Sequence, residues 1–139
     1  MAMTMHVNIV SAENEIYSGT VTQVFAPASM GEVGVMPRHA PMLSTLKAGE
    51  VRVLLQDGGE ETFFVSGGIL EIQPHMVTIL SDTAMRASDI DESAALEAQA
   101  RAEAAMKDKA SDMDYAKAKS ELMEAVAQIE TLKKLRKKK

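Results

Sequence analysis

No glycine, proline or phenylalanine follows Arg86. All 8 Gly, all 4 Pro and all 3 Phe of the 139-residue chain lie before that point, and this break constrains the fold more than any single motif does. Val and Ile number 15 before it and 3 after it, whereas 13 Ala fall in the last 53 residues. β-Branched residues suit a pleated sheet and alanine suits a helix. The chain therefore reads as a two-domain α+β protein: an antiparallel β-sandwich over 1–86, followed by an α-helical hairpin over 87–139. Charge divides at the same place, with 4 basic and 9 acidic residues before the break, 11 of each after it, and 6 of the basics in the last 7 positions.

With 25% charged and 46% apolar residues the chain falls among soluble globular proteins. The absence of cysteine excludes disulfide scaffolds, zinc ribbons and thiol chemistry. No apolar run approaches the roughly 18 to 20 residues of a membrane span, and the start Met-Ala-Met-Thr-Met-His has neither a basic nor an apolar leader segment. An untargeted cytoplasmic chain is expected. The net charge of -5 argues against general nucleic-acid binding.

Short apolar runs punctuated by turn residues predict strands at Met5–Val10, Glu15–Ala26, Glu32–Met36, Met42–Lys47, Glu50–Gln56, Glu60–Ser66, Ile69–Gln73 and Met76–Ser81. Asp57-Gly58-Gly59 is a hairpin turn because glycine supplies positive φ, and Pro74-His75 closes another. Val51, Val53 and Leu55 share one face, leaving Leu54 on the other, and Phe63 and Phe64 point opposite ways. Some outer surface is thus apolar, covered either by the helical segment or by a partner protein.

In the second part, Ser88 or Asp89 caps a first helix reaching about Lys107, with Glu92 placed as in a capping box after Asp89. Lys107-Asp108-Lys109-Ala110-Ser111 is a polar connection, and Asp112 or Asp114 caps a second helix running toward Leu135. Tyr115, Ala118, Leu122, Ala125, Ile129 and Leu132 follow the spacing of a helix–helix seam, against Ala95, Ala98, Ala102 and Ala105. A buried Leu or Ile contributes roughly 1.5–3 kcal/mol and a CH₂-sized group about 0.8. An alanine seam therefore joins helices that are stable in themselves by a weak contact, and the segment can undock without melting.

Chemistry-bearing patterns are few. His6, His39 and His75 share no metal-ligand spacing, so no metal is expected. Gly31-Glu32-Val33-Gly34 lacks the Lys-Ser/Thr ending of a phosphate loop and Ser66-Gly67-Gly68 leads into no helix, so both read as backbone turns or bulges. No Gly-x-Ser-x-Gly elbow is present, and no catalytic residue or cofactor is assigned. The 11 Met residues suit either core gaps or adaptable surfaces. The basic end, Lys133-Lys134-Leu135-Arg136-Lys137-Lys138-Lys139, complements the negative end of a helix dipole, or else meets an acidic protein, an anionic membrane or nucleic acid. Nucleic acid is the weakest of these, since the tail interleaves no aromatic residue.

Four stretches carry a resemblance: Ser11-Ala12-Glu13; Gly31-Glu32-Val33-Gly34-Val35-Met36-Pro37-Arg38-His39-Ala40-Pro41-Met42-Leu43; Ser66-Gly67-Gly68-Ile69-Leu70-Glu71-Ile72-Gln73-Pro74; and Val77-Thr78-Ile79-Leu80-Ser81-Asp82-Thr83-Ala84. In this order, before an Asp-Ile-Asp-Glu helix start and an alanine-rich hairpin, they resemble the epsilon subunits of bacterial F-type ATP synthases over the whole chain.

The resemblance implies a non-catalytic rotor subunit on the cytoplasmic face of the bacterial membrane, associated with the membrane only through its complex. Its sandwich would bind the gamma subunit and the c-ring, coupling proton-driven rotation to ATP synthesis. Its helical domain would permit turnover when compact, and when extended toward the alpha and beta subunits would inhibit ATP hydrolysis. The loop Gly31, Glu32, Val33 and Gly34, with His39 in the adjoining segment, corresponds to the part that faces the c-ring. Lys133, Lys134, Arg136 and Lys137 correspond to basics that meet beta and gamma on extension. Relatives that bind ATP carry Ile/Leu-Asp-x-x-Arg-Ala at the first helix; here Ile90 and Asp91 are followed by Ala94 where the arginine belongs, which argues against nucleotide sensing by that route. The competing reading is a free-standing helical-hairpin module for acidic proteins or anionic surfaces, which would form no stoichiometric complex with gamma.

Overall fold

The computed structural model describes residues 3–107 and 112–137. The chain divides into two compact units, Met1–Arg86 and Ala87–Lys139. The first holds nine strands among the described residues: β1 (Met5–Ser11), β2 (Glu15–Ala28), β3 (Gly31–Val35), β4 (Met42–Leu46), β5 (Gly49–Leu55), β6 (Glu60–Val65), β7 (Gly68–Ile72), β8 (Met76–Ser81) and β9 (Ala84–Arg86). The sequence reading misses β9, a three-residue edge too short to show a period.

The strands run in the order β1-β8-β7-β4-β2-β5-β6-β9, with β3 on β2 and a further pairing of β1 with β2. All neighbours are antiparallel except β1 and β8, which pair in parallel from His6/Met76 to Ser11/Ser81. Long β2 meets β1, β3, β4 and β5 along its length and so joins the two layers. Alternate residues of both layers point inward. Val7 and Ile9, Val21 and Val24, Val51 and Val53, Phe63 and Val65, Leu70 and Ile72, and Val77 and Ile79 form the core, all essentially inaccessible. At roughly 1.5–3 kcal/mol for each buried Val, Ile, Leu or Phe, this core is the main stabilising term of the sandwich.

The turns follow their residues. Gly58 has φ 91, and Asp57 Oδ1 accepts a bond from Gly59 N–H at 2.7 Å, closing the β5–β6 hairpin. Gln73 and Met76 exchange backbone bonds around Pro74-His75. Gly67 and Gly68 have φ 118 and 134, and a Cβ on Gly68 would stand 1.9 Å from the Leu80 carbonyl oxygen. No larger residue fits there. Ser66 and Ser81 knit the same corner: Ser81 Oγ donates to Thr83 O, and Ser66 Oγ accepts from Thr83 N–H. The Ser-Gly-Gly and Ser-Asp-Thr stretches thus serve one close crossing of the backbone.

The second unit contains a 3-10 turn at Ala87–Asp89, α1 (Glu92–Lys107) and α2 (Asp112–Lys137). The cap of α1 differs from expectation. Ser88 and Asp89 are taken up by the 3-10 turn, closed by Ile90 N–H to Ala87 O at 3.3 Å, and Asp91 Oδ1 instead accepts from Ala94 N–H at 3.2 Å. The helix starts two residues later than a capping box at Asp89 would set it. The 108–111 part of the expected connection lies outside the described residues.

Buried alanines repeat at seven-residue spacing in both helices, Ala95 and Ala102 in α1, Ala118 and Ala125 in α2. Tyr115 and Ala105, expected in the seam, are exposed; both stand beside the 108–111 connection, beyond the buried Ala102 and Ala118 where the contact stops. Thr131 is buried, its hydroxyl satisfied by Ala127 O at 2.7 Å. No helix is long and apolar enough to cross a membrane among the described residues.

Candidate functional site

The outer face of β1, β8, β7 and β4 carries the most unusual surface. Register places Val10, Leu80, Ile69 and Thr45 in one row across four strands, and Asn8, Thr78, Glu71 and Leu43 in the next. Leu43 is 72% exposed, and Ile69 and Leu80 are each 44% exposed. An aliphatic row on an open sheet face is what a protein partner covers. A cavity of about 280 Å³ opens at its edge, lined by Val10, Ala12, Gly68, Ile69, Leu80 and Asp82. Its shape follows from the glycine at 68, which leaves the crossing without a side chain.

A polar site lies across β3, β2, β5 and β6. The stretch Gly31-Glu32-Val33-Gly34, matched to a loop by the resemblance but overlapping the strand predicted over Glu32–Met36, is strand β3, paired with β2 from Ala28/Gly31 to Val24/Val35. The turn sits one step earlier, at Ser29 and Met30, with Met30 95% exposed and Gly31 at φ 128 closing it. Gly34 lies opposite Phe25, where an added Cβ would meet the ring at 3.1 Å. The ring in turn carries the Arg52 guanidinium, 4.5 Å from its centroid. From there Arg52 reaches Glu32 at 3.4 Å, Glu50 at 3.3 Å and Glu60 at 3.8 Å.

His39 is not part of this arrangement. Its backbone N–H bonds Met36 O, its Nδ1 lies 2.7 Å from Ala40 O, and neighbouring Arg38, at φ 67, bonds Pro74 O. Gly31 and Glu32 sit by Ala28 and Leu46, whereas Met36 to His39 sit by Pro74, so the two groups occupy opposite ends of β3. Four strand steps separate those ends by roughly 13 Å.

In the helical unit, Asp91 spends its carboxylate on the start of α1, and Ala94 contributes only its N–H there. Ile90 is buried. Between α1 and α2 a cleft of about 400 Å³ is lined by Ala98, Arg101, Glu121, Glu124 and Gln128. Burial, and secondarily the charge of Glu121, raises the Glu124 carboxyl above its ordinary range. A cleft with two carboxylates and one guanidinium is poorly suited to a polyphosphate. Lys133 and Lys134 are exposed on α2, and Arg136 and Lys137 lie in its final turn. No cluster of metal-ligating side chains occurs among the described residues.

Two family models cover almost the entire chain: the ATP synthase delta/epsilon beta-sandwich domain matches residues 4–87 and the delta/epsilon long alpha-helix domain matches residues 88–133. The ATP synthase epsilon chain of Nitrosococcus oceani is 61% identical over 138 residues, 99% of each chain. The chain belongs to the ATP synthase epsilon-chain family. The epsilon chain of Legionella pneumophila (strain Corby) is 54% identical over 138 residues, again 99% of each chain. Among solved structures, a chain of the Euglena gracilis mitochondrial ATP synthase OSCP/F1/c-ring assembly matches with a TM-score of 0.83 at 18% identity, over 93% of this chain and 81% of that one. A chain of the Tetrahymena thermophila central stalk/c-ring assembly matches with a TM-score of 0.62 at 12% identity, covering 94% and 97%. At those identities the likeness is one of fold.

Sequence reasoning misses Arg52, Phe25 and the exposed Leu43, Ile69 and Leu80 as site residues. Arg52 gives no signal, because Glu32 and Glu60 are brought to it only by strand pairing and Glu50, two residues away on its own strand, makes no motif with it. The aliphatic row had a faint one: Ile69 and Leu80 fall out of phase with the inward-facing Leu70 and Ile79 beside them.

Proposed function

We propose that this chain is a non-catalytic central-stalk subunit of a bacterial ATP synthase, held at the cytoplasmic face of the membrane through its complex. The sandwich joins the gamma subunit to the c-ring, so that proton-driven rotation is coupled to ATP synthesis, and the helical hairpin restrains ATP hydrolysis by extending toward the alpha and beta subunits. The observation that supports this best is the exposed Ile69 and Leu80, adjacent in one cross-strand row, with Leu43 exposed in the next row and a recess adjoining them, a surface suited to gamma.

Glu32, with Gly31, Val33 and Gly34 around it, is assigned to the c-ring; the ring reaches His39 only by spanning the length of β3. The thin alanine seam supports a hairpin with two packings of similar free energy. The basic end formed by Lys133, Lys134, Arg136 and Lys137 would meet acidic surface of the beta subunits, with gamma alongside. Nucleotide binding through Ile90 and Asp91 is not part of the proposal, since Ala94 supplies no cation and Asp91 is engaged as a cap.

The test is assembly and turnover with the full chain. Ile69→Asp with Leu80→Asp should abolish a stoichiometric complex with gamma while leaving the thermal unfolding transition of the free chain in place. Replacing Lys133, Lys134, Arg136 and Lys137 by Gln should leave assembly intact and raise ATP hydrolysis toward that of enzyme lacking the helical domain. Normal gamma binding by the first variant would refute the docking face, and unchanged inhibition by the second, at low salt, the electrostatic role of the tail.

A further inference from the structure

We infer that Arg52 is the positioning residue for the Glu32 contact: its guanidinium, laid on Phe25, fixes one oxygen of the Glu32 carboxylate so that the other is presented to the partner. The inference rests on the reading that Glu32 meets the c-ring.

Glu32 stands on an edge strand, its side chain 55% exposed. An exposed carboxylate on three flexible χ angles loses conformational freedom when a partner binds, and prior restraint reduces that cost. Nothing on β3 itself supplies the restraint. Arg52 supplies it from two strands away: Nη2 meets Glu32 Oε1 at 3.4 Å, Nε meets Glu50 Oε1 at 3.3 Å, and Nη1 lies 3.8 Å from Glu60 Oε1. Each nitrogen has a different direction, so the planar fork is held by its partners and by the ring beneath it.

The motif residues around Glu32 fit the same purpose. Gly34 leaves room for the Phe25 ring, and Gly31 turns the chain into β3 so that Glu32 pairs with Pro27. Arg52 is shared with Glu50 and so neutralises Glu32 only in part, which favours a partner offering a cation or N–H donors. Glu50 complicates any simple deletion. Its side chain is only 8% exposed, and its Oε2 is buried without a hydrogen-bond partner. Removing Arg52 alone therefore leaves a buried charge uncompensated and weakens the fold.

The experiment is a double-mutant cycle in assembled ATP synthase in membrane vesicles, reading protons pumped per ATP hydrolysed at low and high salt. Glu32→Gln is the reference. Arg52→Gln is made together with Glu50→Gln, which removes the buried charge, and Arg52→Lys keeps the charge without the fork. Expected is a loss of coupling of about threefold at low salt for both Arg52 variants, shrinking at high salt, and no further loss when either is added to Glu32→Gln. Additive losses, or Arg52 variants that couple normally where Glu32→Gln does not, would overturn the positioning role. A Glu32→Gln enzyme that couples normally would instead overturn the c-ring assignment on which it rests. Should the Arg52→Gln chain fail to assemble, Arg52→Lys decides by the same criterion.

Discussion

At the residue scale, the family-like stretches turn out to hold the backbone in positions that few residues tolerate. Gly68 and Gly58 both have positive φ, but they differ in surroundings: a Cβ on Gly68 meets Leu80 O at 1.9 Å, whereas one on Gly58 meets nothing within 4 Å. Gly58→Ala should therefore cost only the left-handed strain of about 1–2 kcal/mol. Gly68→Ala adds a clash with backbone that cannot rotate away, and a destabilisation of roughly 2–4 kcal/mol is expected. Denaturant unfolding of the full chain compares them, and equal losses would show that the β7–β8 crossing can yield. The Gly67-Gly68 pair was legible in the sequence as a turn or bulge and not a phosphate site. The reason for it was not, because Leu80 is brought to it only by strand pairing. Asp91 is similar: Ser88 or Asp89 is the expected cap, but the 3-10 turn takes up both and leaves the role to Asp91.

Among elements, the strands with their own turns were the most legible. Asp57-Gly58-Gly59 and Pro74-His75 fix two hairpins whose registers need only local chemistry. The parallel pairing of β1 with β8 was not foreseen, since strands joined across some 65 residues of chain leave no local trace in either. In the helices, seven-residue alanine spacing located the contact, and the exposed Tyr115 shows where it ends. Glu124 sits in the α1–α2 cleft, which Arg101 of α1 and Glu121 of α2 also line. Its raised affinity for a proton has burial as the larger cause and Glu121 as the smaller. The folded hairpin then holds that proton more tightly than the unfolded chain does. Its contribution to stability is greatest at low pH and is lost as pH rises through and above the ordinary carboxylate range. Glu124→Gln should remove this loss: amide exchange in α2 should be slower in the variant at pH 7 and alike in both chains in acid. A variant with the same pH dependence as the parent would show that Glu124 does not set it.

For the whole molecule, the composition break at Arg86 coincides with the division into compact units and lies one residue from the boundary between the two matched family models. Each unit contains the interactions that build it: the sandwich closes through β2, and the hairpin carries its own cap and alanine contacts. The central claim is that the sandwich alone holds the chain in the rotor, leaving the hairpin free to regulate. A chain ending at Arg86 tests it most directly, by sedimentation with purified gamma. The account predicts a folded fragment forming a one-to-one complex, with affinity within about threefold of the full chain, a difference under about 0.7 kcal/mol. A folded fragment that leaves gamma unbound, while the full chain binds it, would contradict the account.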